Sequence, residues 1–186
     1  IRDCVGDMKK GEPMNRLVQG DVGSGKTAVA SSLIFTAAKN GFQSALMAPT
    51  EVLAVQHFKT LSSLLGSELR IGLLTGSVKA KEKREIKARV ESGEIDVLVG
   101  THALLTEDTV FKSLGLVVTD EQHRFGVRQR GALGKKGKRP HVLVMSATPI
   151  PRTLSLIVYG DLDVSIIDEL PAGRQKIRTY FVDSSY

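Results

Sequence analysis

The segment at residues 20–27 constrains the fold of this chain more than any other feature. Its sequence, GDVGSGKT, fits the pattern G-x-x-x-x-G-K-[ST], and it stands between a short strand candidate at residues 16–19 and a helix candidate, rich in Ala and Leu, at residues 27–39. Its glycines let the backbone curl until N–H groups point inward, and a helix that starts there adds the positive end of its dipole. The segment therefore predicts a phosphate-binding loop between a strand and a helix.

The predicted loop consists of Gly20, Asp21, Val22, Gly23, Ser24, Gly25, Lys26 and Thr27. Lys26 offers a full positive charge to the β and γ phosphates of a nucleoside triphosphate, and the hydroxyl of Thr27 is a ligand for Mg²⁺. The alternative is a chance Gly-rich turn before a helix. It is weak because strand, loop and helix follow one another as the motif requires.

Short apolar runs alternate with longer amphipathic stretches along the rest of the chain. Further strands are predicted at residues 44–48, 70–74, 95–99, 116–119, 142–145 and 177–182, and helices at residues 51–65, 80–90 and 154–159. In the helix at residues 51–65, the apolar positions that recur at spacings of three and four are Val52, Val55, Phe58, Leu61 and Leu65. Apolar strands separated by helices indicate a mainly parallel sheet covered on both faces, which is a three-layer α/β fold.

An acidic pair follows the apolar strand at residues 116–119. Asp120 can hold Mg²⁺ directly or through water, and Glu121 can orient and deprotonate an attacking water. Alone, two acids at a strand end would be weak evidence, but a complete phosphate loop upstream favours the catalytic interpretation. Ligands of an open α/β sheet bind at the carboxyl ends of the strands. We therefore expect one edge of one sheet to carry Gly20, Thr50, Thr101, Asp120 and Ser146.

The composition is that of an ordinary globular chain of one domain, with 186 residues, 41% of them hydrophobic and 25% charged. The net charge of +6 permits binding to a polyanion, although the basic clusters at residues 79–89 and 135–139 would, on charge alone, be solvated faces. Aromatic residues make up 5% of the chain and Trp is absent, so a base-stacking platform for single strands is not indicated. No apolar run approaches the length that spans a bilayer, and no membrane partner is expected.

Cysteine and histidine usage does not indicate a metal centre. The single cysteine, Cys4, cannot form an internal disulfide, and its position indicates a ragged terminus of a segment cut from a longer chain. The histidines His57, His102 and His141 are scattered without the spacing of metal ligands, so no zinc site is predicted.

The order and spelling of six segments resemble the motifs of superfamily 2 helicases. These segments are GDVGSGKT at residues 20–27 for motif I, APTEVLA at 48–54 for motif Ia, TGS at 75–77 and GTH at 100–102 for the Ib region, DEQH at 120–123 for motif II, and SAT at 146–148 for motif III.

Within that superfamily, residues 122–127 and 147–153 resemble the branch formed by RecG and transcription-repair coupling factor. Gln122 is more similar to RecG, because the coupling factor usually carries a second glutamate at that place in motif II. The segments at residues 161–163 and 167–174 also match the RecG pattern.

The resemblance implies the RecA-like fold of a P-loop NTPase, with ATP and Mg²⁺ as its cofactors. Residues 1–170 would form the first RecA-like ATP-binding lobe, and residues 171–186 would lead toward a second RecA-like lobe. The parent would be a bacterial, cytoplasmic DNA helicase that remodels branched DNA, including forks and Holliday junctions, in recombination and repair. Its implied partners are DNA and the second lobe and wedge domain of the same parent chain. Because the second lobe supplies an arginine to the site, the first lobe alone is expected to have little activity.

The resemblance also implies roles for single residues. The implied catalytic residues are Lys26, Asp120, Glu121 and His123, with Thr27 and Asp120 as Mg²⁺ ligands. The implied contacts to the DNA backbone are Pro49, Thr50, Glu51, Gly76, Ser77, Thr101 and His102. The residues implied to couple the nucleotide site to DNA are Ser146, Thr148 and Arg152. For Thr50 and Thr101 the alternative is an N-cap that serves only its own helix.

Three other interpretations compete with a RecG-like lobe. A self-contained phosphate-loop NTPase or kinase shares residues 20–27 but does not predict residues 120–123 followed by residues 146–148, and its hydrolysis would respond to small acceptors instead of DNA. A nucleic-acid binding module with an inactive nucleotide site conflicts with four intact residues, which are Lys26, Thr27, Asp120 and Glu121. The corresponding lobe of transcription-repair coupling factor differs mainly in its partners, and it is the closest alternative.

Overall fold

The computed structural model of the chain describes residues 1–101, 104, 106, 108–120, 139–147 and 162–169. The elements within these residues are, in chain order, α1 (Arg2–Met8), β1 (Asn15–Gly20), α2 (Lys26–Lys39), β2 (Gln43–Met47), α3 (Glu51–Leu65), β3 (Ile71–Leu74), α4 (Ala80–Ser92), β4 (Val97–Gly100), β5 (Leu114–Asp120), β6 (His141–Ser146) and β7 (Asp163–Ile167). The helix predicted at residues 154–159 and the strand predicted at residues 177–182 lie outside the described residues. None of the described helices is long and apolar enough to cross a membrane.

The strands form one sheet in the order β3-β4-β2-β5-β6-β1-β7, and every neighbouring pair is parallel. Parallel strands need crossover connections, and α2, α3 and α4 supply them after β1, β2 and β3. All the strands therefore end at the same edge of the sheet, which we call the carboxyl edge. The prediction of a mainly parallel sheet is confirmed.

Helices cover both faces of the sheet and give the fold three layers. The core on the face of α1, α2 and α3 includes the buried side chains of Leu33, Ile34, Leu61 and Leu143. The opposite face carries a second apolar cluster, in which Val90 of α4 packs on the sheet. The predicted three-layer α/β class is confirmed.

The N-terminus forms the docked helix α1, so the expectation of a ragged terminus is wrong. Cys4 is 1% exposed and belongs to the main core, and burial raises the pKa of its thiol. The buried carboxylate of Asp7 accepts a hydrogen bond from Nε of Arg16 in β1 at 2.6 Å and another from Nζ of Lys10 at 2.7 Å. A helix of seven residues is too short to show an apolar period, and these tertiary contacts hold it in place.

Strand β7 was not predicted from the sequence. It lies at the edge of the sheet beside β1, and two of its five residues, Asp163 and Ile166, are exposed. The continuous apolar run that marks a central strand is therefore missing. The pairing of Gly20 with Ile167 brings the end of β7 beside the phosphate loop.

Helix α3 has the bounds that the sequence predicted, and two of the recurring apolar positions, Leu61 and Phe58, lie in or against the main core. Val52, one of the recurring apolar positions, is 77% exposed. The buried residues are Ala54, His57 and Leu61, so a histidine occupies the inward face of the helix.

Candidate functional site

The predicted phosphate loop starts at the last residue of β1, Gly20, and ends in the first turn of α2, which begins at Lys26. The φ angles of Gly23 and Gly25 are 82° and 95°, in the left-handed region that favours glycine. Gly25 is the N-cap of α2, and no described side chain caps the helix there. The first N–H groups of α2 and the positive end of its dipole are therefore available to an anion.

Lys26 and Ser24 line the curve of this loop. The Nζ of Lys26 donates to the backbone carbonyls of Gly20 at 2.7 Å and Asp21 at 2.8 Å, and an ammonium group has a third N–H to offer. The Oγ of Ser24 is buried, and it finds no hydrogen-bond partner among the described residues. Such a buried polar group costs about 1–3 kcal/mol unless a ligand satisfies it. A cationic donor, a buried hydroxyl without a partner and open helix N–H groups together fit a polyphosphate.

Asp120 lies at the carboxyl edge two strands away from the loop. It is the last residue of β5 and pairs with Met145 of β6, while Ser146 of β6 pairs with Gln19 of β1. Because β6 alone separates β5 from β1, the backbone of Asp120 is about 10 Å from that of the loop across the sheet. The carboxylate of Asp120 and the hydroxyl of Thr27 are oxygen ligands of the kind that Mg²⁺ prefers, so these residues fit the implied metal.

His57 of α3 holds the carboxylate of Asp120, a contact that the sequence did not indicate. Its Nε2 lies 2.5 Å from Oδ2 of Asp120, and the two side chains are only 10% and 18% exposed. An ionised carboxylate can only accept, so the tautomer of His57 that forms this hydrogen bond carries its proton on Nε2. Asp120 reaches α3 because it has the same parity along β5 as Leu116 and Val118, which face the layer of α2 and α3. The sequence signal that could have indicated this contact is a polar residue, His57, among the inward-facing positions of a helix that starts at the carboxyl edge.

The other half of the carboxyl edge carries polar turns after β2 and β3. The Oγ1 of Thr50 caps α3 by accepting from the N–H of Leu53 at 3.3 Å. The Oε1 of Glu51 accepts from the N–H of Ser77 at 3.2 Å, which joins the turn after β3 to the start of α3. A Cβ at Gly76 would lie 2.5 Å from the same Oε1, so glycine permits this close approach. The structure therefore brings Thr50, Glu51, Gly76 and Ser77 together.

The remaining predicted positions divide into two groups. Pro49 and Thr101 are half-buried and follow β2 and β4, which are neighbours in the sheet. Ser146 is the buried last residue of β6, between Asp120 and the phosphate loop. The predicted site residues that lie outside the described part of the chain are His102, Glu121, His123, Thr148 and Arg152.

A comparison with protein-family models identifies the family of this chain. The model for DEAD/DEAH box helicases matches residues 2–157, which is most of the chain. The chain belongs to the DEAD/DEAH box helicase family. The match includes the phosphate loop and Asp120, the two ends of the candidate nucleotide site, and it confirms the predicted helicase resemblance.

Relatives within this helicase family are similar to the chain over nearly its whole length. The chain is 56% identical over 183 residues to the ATP-dependent DNA helicase RecG of Bacillus subtilis, and 58% identical over 180 residues to that of Synechocystis sp.. These matches cover 98% and 96% of this chain but 27% and 22% of the relatives. The chain thus spans about a quarter of the length of the curated relatives it matches.

A solved structure of RecG bound to a three-way DNA junction has the same fold. It is 48% identical to the chain, its TM-score is 0.82, and the match covers 95% of this chain and 24% of that one. The predicted similarity to RecG and the predicted RecA-like helicase lobe are both confirmed.

Proposed function

We propose that this chain is the ATP-binding motor lobe of a DNA helicase that resembles RecG and couples ATP hydrolysis to the remodelling of branched DNA. One observation carries the proposal. The carboxyl edge of the sheet holds the phosphate loop on β1 and Asp120 on β5, separated by β6 alone, with the polar turns after β2, β3 and β4 beside them. Membership of the helicase family and the names of the relatives support ATP as the nucleotide and DNA as the partner.

In this proposal the half of the edge formed by β1, β6 and β5 binds ATP. Lys26 and the N–H groups of residues 20–27 hold the phosphates, and Thr27 and Asp120 are the Mg²⁺ ligands. Bound Mg²⁺ supplies charge neutralisation on the phosphates and orients them. Glu121 orients and deprotonates the attacking water, and His123 assists at the same site.

The half formed by β2, β4 and β3 binds the DNA backbone. The hydroxyls of Thr50, Ser77 and Thr101 and the N–H of Gly76 contact phosphates, and Pro49, Glu51 and His102 are the other proposed DNA contacts. Such contacts are independent of base sequence and weaken as the salt concentration rises. Coupling between the halves involves Ser146, which ends the strand beside Asp120, together with Thr148 and Arg152.

The complete motor extends beyond this lobe. Residues 1–170 form the lobe, and residues 171–186 lead toward a second RecA-like lobe that completes the ATP site, with a wedge domain in the same parent chain. The small share of the relatives that the chain covers supports this arrangement. The parent acts on forks and Holliday junctions in the cytoplasm of a bacterium, in recombination and repair.

Steady-state ATP hydrolysis by the full-length parent protein tests the proposal. The rate is measured without DNA, with a linear duplex and with a three-way junction of the same length. We expect the junction to stimulate hydrolysis most, and Lys26→Ala to lower the stimulated rate about 100-fold or more, because it removes a charge from the phosphate site.

Lys39→Ala is the matched control, since Lys39 lies on the same helix but forms an exposed ion pair with Glu68. Its rate should equal that of the unchanged protein. Hydrolysis that ignores DNA, or that survives Lys26→Ala, would replace the proposal by a self-contained NTPase or by a different nucleotide site.

A further inference from the structure

We infer that His57 is a positioning residue that holds the metal ligand Asp120 and links it to the DNA-facing start of α3. The inference deepens the proposed function and rests on it, because it takes Asp120 as a ligand of Mg²⁺ and the first turn of α3 as a DNA contact. Among the described residues, His57 is the one side chain that hydrogen-bonds to Asp120.

The hydrogen bond from His57 involves one of the two carboxylate oxygens of Asp120. The Nε2–H of His57 occupies Oδ2 at 2.5 Å, so the other carboxylate oxygen, Oδ1, is the one that this bond leaves available. The ring is buried in line with Ala54 and Leu61 on the inward face of α3, and packing therefore restricts its movement. Partners of this kind orient a metal ligand, and their loss typically weakens metal binding about 10–100-fold.

Helix α3 connects this contact to the other half of the carboxyl edge. His57 lies seven residues after the N-cap Thr50, which is two helical turns or about 10 Å. The first turn is tied to the turn after β3 by the bond between Glu51 and Ser77. Because a helix moves as a rigid body over two turns, a phosphate that shifts the start of α3 shifts His57 with it. DNA binding at Thr50 and the orientation of Asp120 are thereby linked through one element.

The acceptor of the His57 hydrogen bond is the side chain of the predicted metal ligand and not a backbone carbonyl. The ring N–H of a histidine that serves only packing can be satisfied by any acceptor, and a backbone carbonyl would be sufficient. His57 instead reaches across from the helix to the last residue of β5, which is the predicted metal ligand itself. His57 and Asp120 are 63 positions apart in the sequence, so the hydrogen bond joins α3 to the end of β5, which is distant from α3 along the chain.

Three variants of the full-length parent protein test the inference. His57→Leu removes the donor and retains bulk, whereas His57→Gln retains an N–H donor at the end of the side chain. Thr60→Ala is the control, because Thr60 lies on the same helix and its hydroxyl donates to the carbonyl of Gln56 at 3.0 Å. The affinity for a fluorescent ATP analogue is measured as a function of Mg²⁺ concentration, in EDTA, and with or without junction DNA.

We expect His57→Leu to raise the Mg²⁺ concentration for half-maximal binding about tenfold while leaving the affinity in EDTA unchanged. The variant should also lose the change in nucleotide affinity that junction DNA causes. His57→Gln should restore most of both properties, and Thr60→Ala should match the unchanged protein. A purely structural role would instead lower the melting temperature and weaken binding equally with and without Mg²⁺.

The inference is overturned if folded His57→Leu keeps the Mg²⁺ dependence of the unchanged protein, or if His57→Gln, folded, behaves like His57→Leu. Should His57→Leu fail to fold, His57→Asn provides the same comparison, because its shorter side chain loses the contact with Asp120. Lys26→Ala shows whether a negative result contradicts only the role of His57 or the proposed nucleotide site as well. If Lys26→Ala still binds the analogue, the nucleotide site itself is wrong. If Lys26→Ala loses binding while His57→Leu is unaffected, only the role of His57 is wrong.

Discussion

Gly20 shows how closely the phosphate loop packs against its own strand and the neighbouring one. A Cβ at this position would lie 2.5 Å from Oγ of Ser24 and 3.0 Å from Cβ of Ile167 in β7. The glycine is required for space, whereas Gly25 is required for its positive φ of 95°. Two positions of one motif thus require glycine for different physical reasons.

Gly20→Ala is expected to weaken binding of an ATP analogue about tenfold, which corresponds to about 1.4 kcal/mol. The added methyl group pushes against the close Oγ of Ser24 and distorts the curve of the loop, so the backbone N–H groups no longer fit the phosphates. A fluorescence titration measures the effect. The double variant Gly20→Ala/Ser24→Ala, which removes the close Oγ, should recover part of the affinity.

Gly11→Ala is the control for this series, because a Cβ at Gly11 meets nothing within 4 Å. Full affinity in Gly20→Ala would show that the loop accommodates the methyl group and that the close packing has no role in binding.

Single residues within a motif could be predicted, but contacts between distant residues could not. The pattern of residues 20–27 identified Lys26 because the chemistry of phosphate binding requires a cation at that spacing. His57 has no such local pattern. Its importance comes from Asp120, which is distant in sequence and is brought near only by the packing of α3 on the sheet.

At the scale of elements, a buried polar network holds α1 and β7 to β1. Arg16 of β1 donates to Asp7 of α1 at 2.6 Å and to Oγ of Ser165 in β7 at 2.8 Å. Burial raises the pKa of Asp7, but the hydrogen bonds from Lys10 and Arg16 outweigh it, and the pKa is lowered from its ordinary value. The network thus connects the three elements on this side of the sheet.

Asp7→Asn is expected to destabilise the chain by about 3 kcal/mol at neutral pH, because it leaves the buried Arg16 without its closest anionic partner. Urea unfolding monitored by circular dichroism measures the loss. A lowered folded-state pKa means that Asp7 contributes stability above its ordinary pKa of 3.8 and loses it as pH falls through the lower folded value. The difference between the two proteins should therefore shrink as the pH is lowered below that range.

Glu12→Gln, which removes one negative charge at an exposed position between α1 and β1, should alter the stability by less than about 0.5 kcal/mol. A difference between Asp7→Asn and the unchanged protein that stays constant down to pH 2 would contradict the assignment of an ionised Asp7 in the folded state.

Elements with a strong pattern were predicted well, and elements held by tertiary contacts were not. The bounds of α3 agree with the prediction, and β2 differs from it by one residue at each end, because α3 has a long apolar period and β2 ends in a run of apolar residues. Helix α1 is too short to show a period, and β7 is an edge strand with exposed positions, so their places depend on Arg16 and on pairing with β1.

At the scale of the whole molecule, the order of the strands divides the carboxyl edge into two halves. The sequence predicted that Gly20, Thr50, Thr101, Asp120 and Ser146 would share one edge, and the parallel sheet confirms this. The strand order itself could not be predicted, because it depends on how crossover helices pack. That order places β6 between the loop and Asp120, and it separates the nucleotide half from the turns after β2, β4 and β3.

Hydrogen–deuterium exchange of the full-length parent protein tests this division most directly. A non-hydrolysable ATP analogue with Mg²⁺ should slow amide exchange in residues 21–28, because their N–H groups then bind phosphate. Junction DNA should slow amide exchange in residues 50–54 and 76–78, and it should not change exchange in residues 21–28. Nucleotide protection at residues 76–78 without protection of residues 21–28, or DNA protection confined to residues 21–28, would contradict the division of the edge into a nucleotide half and a DNA half.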